Sequence, residues 1–373
     1  MTTDSPAPTS VKPSAIGLEK DDWIAWLSSQ GEPAFRAQQI LDWLFRKRVD
    51  SFDAMTNLGA GLRQALAENF RLNPLESRTQ EGSIDTTSKL LFRLHDGRYI
   101  ETVVIPASPA LYGEKSDRRT LCVSSQVGCA YDCKFCASGL AGFTRNLDAA
   151  EIVGQILQAE KLGGEKINNL VFMGMGEPLA NLTNLTKAIR IINAEWGVGI
   201  GARHLTISTS GLAPQIEKLA QEPLQFRLAI SLHGASDEVR EQIMPVNKKY
   251  PIDRLFKALE IWQTTRKQKI TFEYILIQGI NDSREQAELL AKRARKVRAK
   301  VNLIPYNTVE GLPWKRPEVK VQEAFLDHLL SKGVQATLRR EKGHDIAAAC
   351  GQLRLKQETD EGIIEAPVAA ARS

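Results

Sequence analysis

No apolar run in this 373-residue chain approaches the roughly 20 positions that a membrane-spanning helix requires, so a soluble protein is expected. The opening stretch Met1–Ser14 is rich in Thr, Ser and Pro and lacks the apolar segment of a secretory signal, which points to a cytoplasmic location. Cysteine is scarce and odd in number. Five residues, three of them crowded at positions 129, 133 and 136, argue against a secreted disulfide framework and for a ligand cluster in a reducing compartment. Charge is nearly balanced: 49 Lys and Arg against 44 Asp and Glu leave +5, a mild bias toward an anionic partner that does not establish nucleic-acid binding. No repeat of solenoid period is found. What is present is a composition close to that of soluble proteins, 43% hydrophobic and 25% charged, in a chain long enough for one large domain and a smaller companion.

Residues 1–15 and 356–373 lack an apolar period and are expected to be disordered tails. Trp23, Trp26 and Leu27, then Ile40, Leu41, Trp43, Leu44 and Phe45, recur at helical spacing and predict a helical accessory domain over 16–75. Residues 89–105 read as two strands joined at His95-Asp96-Gly97-Arg98, giving a linking β-hairpin within 76–110. Apolar strands then follow near 119–124, 168–173, 203–208, 226–231, 270–276 and 300–305. Helical segments near 148–162, 182–195, 252–266 and 283–298 separate them. That alternation implies an α/β fold with a parallel sheet. Six βα units, short of the eight of a closed barrel, predict a partial (β/α)6 barrel over 111–355, with its chemistry in the loops at the C-terminal strand ends. The cysteine cluster follows the first strand, Gly174-Met175-Gly176-Glu177-Pro178 the second, Thr209-Ser210-Gly211 the third and Leu232-His233-Gly234 the fourth.

Gly128-Cys129-Ala130-Tyr131-Asp132-Cys133-Lys134-Phe135-Cys136 places three cysteines as C-x3-C-x2-C. Three thiolates on one short loop can grip three irons of a [4Fe-4S] cubane and leave the fourth open to the amino and carboxylate groups of S-adenosylmethionine (SAM). The alternative is structural zinc, which prefers four protein ligands in two separated pairs; Cys122, Cys350 or His233 would have to be recruited as the fourth.

The spacing, with aromatic Phe135 just before the third cysteine, resembles the signature loop of the radical-SAM superfamily. The resemblance implies a [4Fe-4S] cluster on Cys129, Cys133 and Cys136, with SAM as the second cofactor. Gly174–Pro178 is similar to the superfamily's glycine-and-glutamate loop, which would bring Gly176 and Glu177 to the SAM ammonium. By the same resemblance Ser208, Ser231, Leu232, His233 and Asn307 would contact SAM through hydroxyl, backbone and amide groups. Taken singly, each also fits a satisfied polar group at a strand end.

Two thiols remain, Cys122 just ahead of the cluster loop and Cys350 far along the chain. Burial statistics favour a packed helix residue for Cys350. Arg339, Arg340, Lys342 and Gly343 before it and Gly351 after it instead describe a basic, mobile segment. Gly128–Gly139, Gly174–Leu179, Ser231-Leu232-His233, Val301–Asn307 and Ala348–Leu353 together look like the RlmN family of RNA adenine C2-methyltransferases, over about residues 20–356. Glu341-Lys342-Gly343-His344-Asp345 departs from the string common in relatives, which bears on substrate detail and not on the chemistry.

The resemblance implies two substrates: an adenosine of 23S ribosomal RNA and one in the anticodon loop of certain tRNAs. It also implies a route. Cys350 takes a methyl from one SAM, and a 5′-deoxyadenosyl radical from a second SAM abstracts hydrogen from it. The methylene radical adds to C2, Glu101 accepts the C2 proton, and Cys122 attacks the Cys350 sulfur to leave a disulfide. Cfr-like C8 methylation is the rival, and Glu101 also reads as a solvent-facing strand carboxylate. A flavodoxin or ferredoxin donor, no membrane partner and a monomeric state are expected. The target base must leave its stack, and the basic N-terminal domain, with Arg36, Arg46, Lys47 and Arg48, could hold the RNA. The run Lys292, Arg293, Arg295, Lys296, Arg298 and Lys300 could do the same, but reads better as a solvated helix face on the barrel exterior.

Overall fold

The computed structural model describes residues 12–82, 87–107, 116–266, 268–307, 312–339 and 352–365. Helix α1 (Lys20–Ser29) starts from a capping box between Glu19 and Asp22, which satisfies backbone donors at its exposed end. Helix α2 (Arg36–Leu41) runs on as a π-helix through Asp42–Lys47, and α3 (Ala60–Asn69) closes the unit. Trp23, Leu27, Ile40, Leu41, Leu44 and Phe45 are buried, as their spacing predicts, whereas Trp26 and Trp43 keep part of their rings at the surface. The segment before α1 is also packed. Ser14 and Ala15 are buried, Ser14 is bridged to Arg71, and a Cβ on Gly17 would stand 2.8 Å from the Ala150 Cβ. The expected tail over 1–15 is therefore ordered at its last residues, because glycine lets the backbone lie against the barrel.

Strands β1 (Glu76–Gly82), β2 (Ser88–Arg93) and β3 (Tyr99–Pro106) form an antiparallel meander, with β2 and β3 joined at the expected turn. β3 also pairs antiparallel with β4 (Arg119–Cys122), so the hairpin is continuous with the main sheet. Strands β5 (Gln126–Gly128) and β6 (Phe143–Asn146) form a separate small pair around the cysteine loop. Next come α4 (Ala149–Gly163), β7 (Asn169–Phe172), α5 (Leu182–Asn193), β8 (Leu205–Thr209), α6 (Ala213–Leu219) and β9 (Arg227–Ser231). Helices α7 (Asp237–Ile243), α8 (Val246–Lys249) and α9 (Ile252–Arg266) precede β10 (Ile270–Leu276). The chain continues through α10 (Arg284–Lys296), β11 (Lys300–Pro305), α11 (Val319–Ser331), β12 (Ala336–Leu338) and α12 (Gln352–Asp360).

The sheet order is β1-β2-β3-β4-β7-β8-β9-β10-β11-β12, and every pair from β4 to β12 is parallel. All six strands expected from the apolar runs are present, and short β12 adds a seventh parallel strand. Helix α10 buries Ala287, Leu290, Ala291 and Ala294 and leaves Lys292, Arg295 and Lys296 exposed, the amphipathic pattern of an outer barrel helix, with Arg298 exposed just beyond it. The disorder expected from 356 onward is corrected over 356–365. There α12 covers the meander, burying Leu353, Leu355 and a fully enclosed Arg354–Glu358 ion pair at 2.8 Å. Among the described residues no helix is long and apolar enough to cross a membrane.

Candidate active site

The cysteine loop leaves the sheet just beyond β4. Gly128 takes φ 75° and a Cβ there would lie 1.9 Å from the Gly142 carbonyl, so only glycine lets β5 and β6 close beneath the loop. The Cys129 N–H then donates to Gly142 O at 3.0 Å, and the Lys134 N–H to Ile243 O at 2.9 Å, tying the loop down at both ends. Burial pushes the Cys129 thiol up to about 12 and the Cys133 thiol well above its ordinary value, with the neighbouring Cys136 adding to both. Thiolates crowded in this way need positive charge among them. Among the described residues no three His, Cys, Asp or Glu side chains converge on a single metal ion. A cubane instead spreads its thiolates over separate irons, and this donor set fits it.

The glycine loop lies directly over the end of β4. A Cβ on Gly174 would meet Ser124 N at 2.8 Å and one on Gly176, at φ 98°, would meet Gln126 Cβ at 2.5 Å. Ser125 N–H donates to Met175 O at 2.8 Å, and Glu177 N–H to Gln126 Oε1 at 2.8 Å. The Glu177 carboxylate is buried and already engaged. Its oxygens accept from Ser210 N–H at 2.6 Å and Leu179 N–H at 3.0 Å, and burial raises its pKa against these bonds. Glu177 thus clamps two strand-end loops together, and an ammonium would share an acceptor already in use.

The other expected SAM residues gather at neighbouring strand ends. Ser208 and Ser231 hydroxyl oxygens are 3.5 Å apart across β8 and β9. Leu232 is fully buried, with its N–H on Glu273 O at 3.1 Å and its carbonyl accepting from Arg240 Nε at 3.1 Å. His233 takes a left-handed φ of 56°, packs edge-on against Phe135 at 4.8 Å, and accepts the Ile275 N–H on Nδ1 at 3.0 Å. Burial, with Arg240 nearby, holds its imidazole down to about 3. Asn307 lies two residues beyond β11, and its Oδ1 accepts from Arg316 Nη2 at 2.8 Å. Arg240 escaped the sequence reading. Fully buried, it donates also to Ser210 O at 2.5 Å and Asn247 Oδ1 at 2.8 Å, joining the third and fourth loops.

Glu101 lies on β3, where the two sheet faces have separate tasks. Thr102 Oγ1 donates to Gln155 Oε1 of the outer helix α4 at 2.7 Å, so Glu101, one residue away, faces the other side. The register Val103↔Cys122 puts buried Cys122 on that same inner face, diagonal to Glu101. The solvent-facing reading of Glu101 is overturned: the residue is 1% exposed. Its Oε2 is 3.2 Å from Lys89 Nζ, and its Oε1 accepts the Arg354 N–H at 2.6 Å in the first turn of α12. Helix α12 completes the cover, with Leu353 packed on Leu91 and Tyr99, and Glu358 Oε1 accepting the Tyr99 N–H at 3.1 Å. Cys350 lies outside the described residues.

Known proteins match along nearly the whole chain. The profile of the Radical SAM superfamily matches residues 123–291, and that of a "Ribosomal RNA large subunit methyltransferase N-terminal domain" matches residues 15–72. A protein of Akkermansia muciniphila named "Probable dual-specificity RNA methyltransferase RlmN" is 57% identical over 337 residues, 90% of this chain and 94% of its own. A similarly named protein of Opitutus terrae is 53% identical, covering 96% of this chain and 98% of its own. The crystal structure of a radical SAM methyltransferase from Sphaerobacter thermophilus superposes with a TM-score of 0.85 at 42% identity, over 91% of this chain and 98% of that one.

Proposed function

The chain belongs to the RlmN family of radical-SAM RNA methyltransferases, and from that membership we propose that it methylates C2 of an adenosine in 23S ribosomal RNA and in the anticodon loop of some tRNAs. The observation that carries the proposal is the inner face of the meander. A buried carboxylate, Glu101, and a buried thiol, Cys122, sit diagonally on adjacent strands, and the helix docked on that carboxylate begins two residues after Cys350.

Adenine C2, between two ring nitrogens, is too electron-poor to attack a methyl sulfonium. It has to be approached by a radical carbon, which is the use of a thiol that carries the methyl. Held on Cys129, Cys133 and Cys136, the cluster would supply the electron that splits SAM and would take one back from the RNA adduct. Cys350 carries the carbon to C2. Glu101 then accepts the C2 proton, restoring the aromatic ring, and the Cys122 thiolate attacks the Cys350 sulfur. The C–S electron pair leaves on carbon and is protonated to the methyl, while the two cysteines close as a disulfide. Ser208, Ser231, His233 and Asn307 line the strand ends where SAM would lie. The protein would act as a cytoplasmic monomer fed by a flavodoxin or ferredoxin.

Nucleoside mass spectrometry of RNA treated with the enzyme tests this reading, with 2-methyladenosine the expected product. Formation of 8-methyladenosine, or methylation by Cys350→Ala, would overturn it. Cys122→Ala should instead accumulate a covalent enzyme–RNA complex, seen as a slow, nuclease-sensitive band on a denaturing gel.

A further inference from the structure

Lys89 sits in an otherwise apolar stretch, Leu90-Leu91-Phe92, of strand β2, and we infer that it is a positioning residue that keeps the Glu101 carboxylate charged and fixed for the C2 proton. The inference rests on the reading of Glu101 as the proton acceptor. In the register of β2 and β3, Leu91 stands opposite Glu101 and Lys89 opposite Val103, so alternation brings Lys89 to the inner face beside the carboxylate. Its Nζ lies 3.2 Å from Oε2, and both side chains are 1% exposed.

A lone carboxylate at that depth is relieved of its desolvation cost either by a proton or by a cation. A proton would disable it as an acceptor, so a base in this position requires the cation. The other oxygen is held by the Arg354 N–H in the first turn of a helix, whose amino-terminal dipole also favours negative charge. The carboxylate is thereby fixed at both oxygens, one to the meander and one to the helix that follows Cys350. Stability alone does not account for the pair, because apolar side chains of similar volume commonly replace a buried ion pair without loss.

The test uses cluster-loaded enzyme carrying Lys89→Met, Lys89→Arg or Glu101→Gln, and RNA with hydrogen or deuterium at C2 of the target adenine. With cluster absorbance and 5′-deoxyadenosine formation retained, Lys89→Met should methylate RNA more slowly by about tenfold or more. It should also accumulate the covalent protein–RNA band and be slowed further by C2 deuterium, an isotope effect that simple destabilisation does not produce. Lys89→Arg, which keeps the charge, should recover part of the rate. Lys89→Gln carries the same expectation as Lys89→Met if the latter does not hold its cluster. Unaltered, isotope-insensitive methylation by a neutral variant at Lys89, alongside a Glu101→Gln enzyme stalled at the adduct, overturns the role of Lys89 alone. Normal methylation by Glu101→Gln overturns the reading of Glu101 beneath it.

Discussion

His233 shows how one residue binds the site to the stability of the fold. Its Nδ1 accepts the Ile275 N–H, which an imidazolium cannot do, and burial holds the ring unprotonated down to about 3. The unfolded chain takes up that proton near the ordinary 6.5, so between about 6.5 and 3 the unfolded state binds more protons than the folded one. Stability should therefore fall as pH drops through that window and be insensitive to His233 above it. Denaturant unfolding at pH 7 and pH 5 would measure the loss, and His233→Gln, which stays neutral, should flatten it; an unchanged slope would remove His233 as its source. The position of this residue after β9 was legible from the βα alternation, and its gathering with Ser208 and Ser231 follows from parallel register. The engagement of Glu177 was not legible, because backbone amides of Ser210 and Leu179 hold it, and these carry no sequence signature. Arg240 was hidden for the same reason: two of its three acceptors are carbonyls.

At the level of elements, strands such as Arg227–Ser231 and Ile270–Leu276 could be read because they are largely apolar runs, mostly buried and bounded by turn residues. Strand β12 could not, since Ala336–Leu338 is half-exposed and three residues long. The second half of helix α12, from 356, reads as a tail because charged residues dominate it, and the helix's buried face is built from Arg354 and Glu358 as much as from Leu353 and Leu355. A pattern search weighs charge as exposure, whereas here two opposite charges cancel inside the protein. Ending the chain after Gly351 would remove α12 while keeping Cys350, the cysteine loop and the loops at the C-terminal ends of β7, β8 and β9. That protein should still assemble its cluster and cleave SAM, but should lose methylation, because Glu101 loses the Arg354 amide and the inner face around Leu91 and Tyr99 is opened to water. Comparing 5′-deoxyadenosine with methylated RNA would show it; retained methylation would make α12 a packing element only.

Over the whole molecule, the question is which surface meets RNA, and the net charge of +5 is too small to answer it. The N-terminal helices are fastened to the barrel by ion pairs, Lys187 to Asp22 at 2.8 Å, Arg190 to Glu19 at 2.9 Å, and Arg48 to Glu160, so docking engages two of their acids and the basic Arg48. What remains outward includes exposed Arg46 and Lys47, the latter 3.4 Å over the half-exposed Trp43 ring, a cation and an aromatic presented together. Such a pair can meet phosphate and stack on an unpaired base. The basic run on α10 is more extensive but lies on the outer helix layer, where Lys296 is paired with Glu260 at 2.8 Å and Arg293 donates to Ala235 O at 2.5 Å. Affinity for a tRNA substrate should fall steeply with salt as phosphates release counterions. Replacing Arg46 and Lys47 by Ala should lower that affinity and reduce the slope of log K against log salt by about 1 for each phosphate contact removed. Replacing Lys292 and Arg295, which are also exposed, should leave both unchanged. Filter binding over a salt series reads the two pairs side by side, and an equal loss from both would mean that RNA is held by diffuse charge and not by the N-terminal helices.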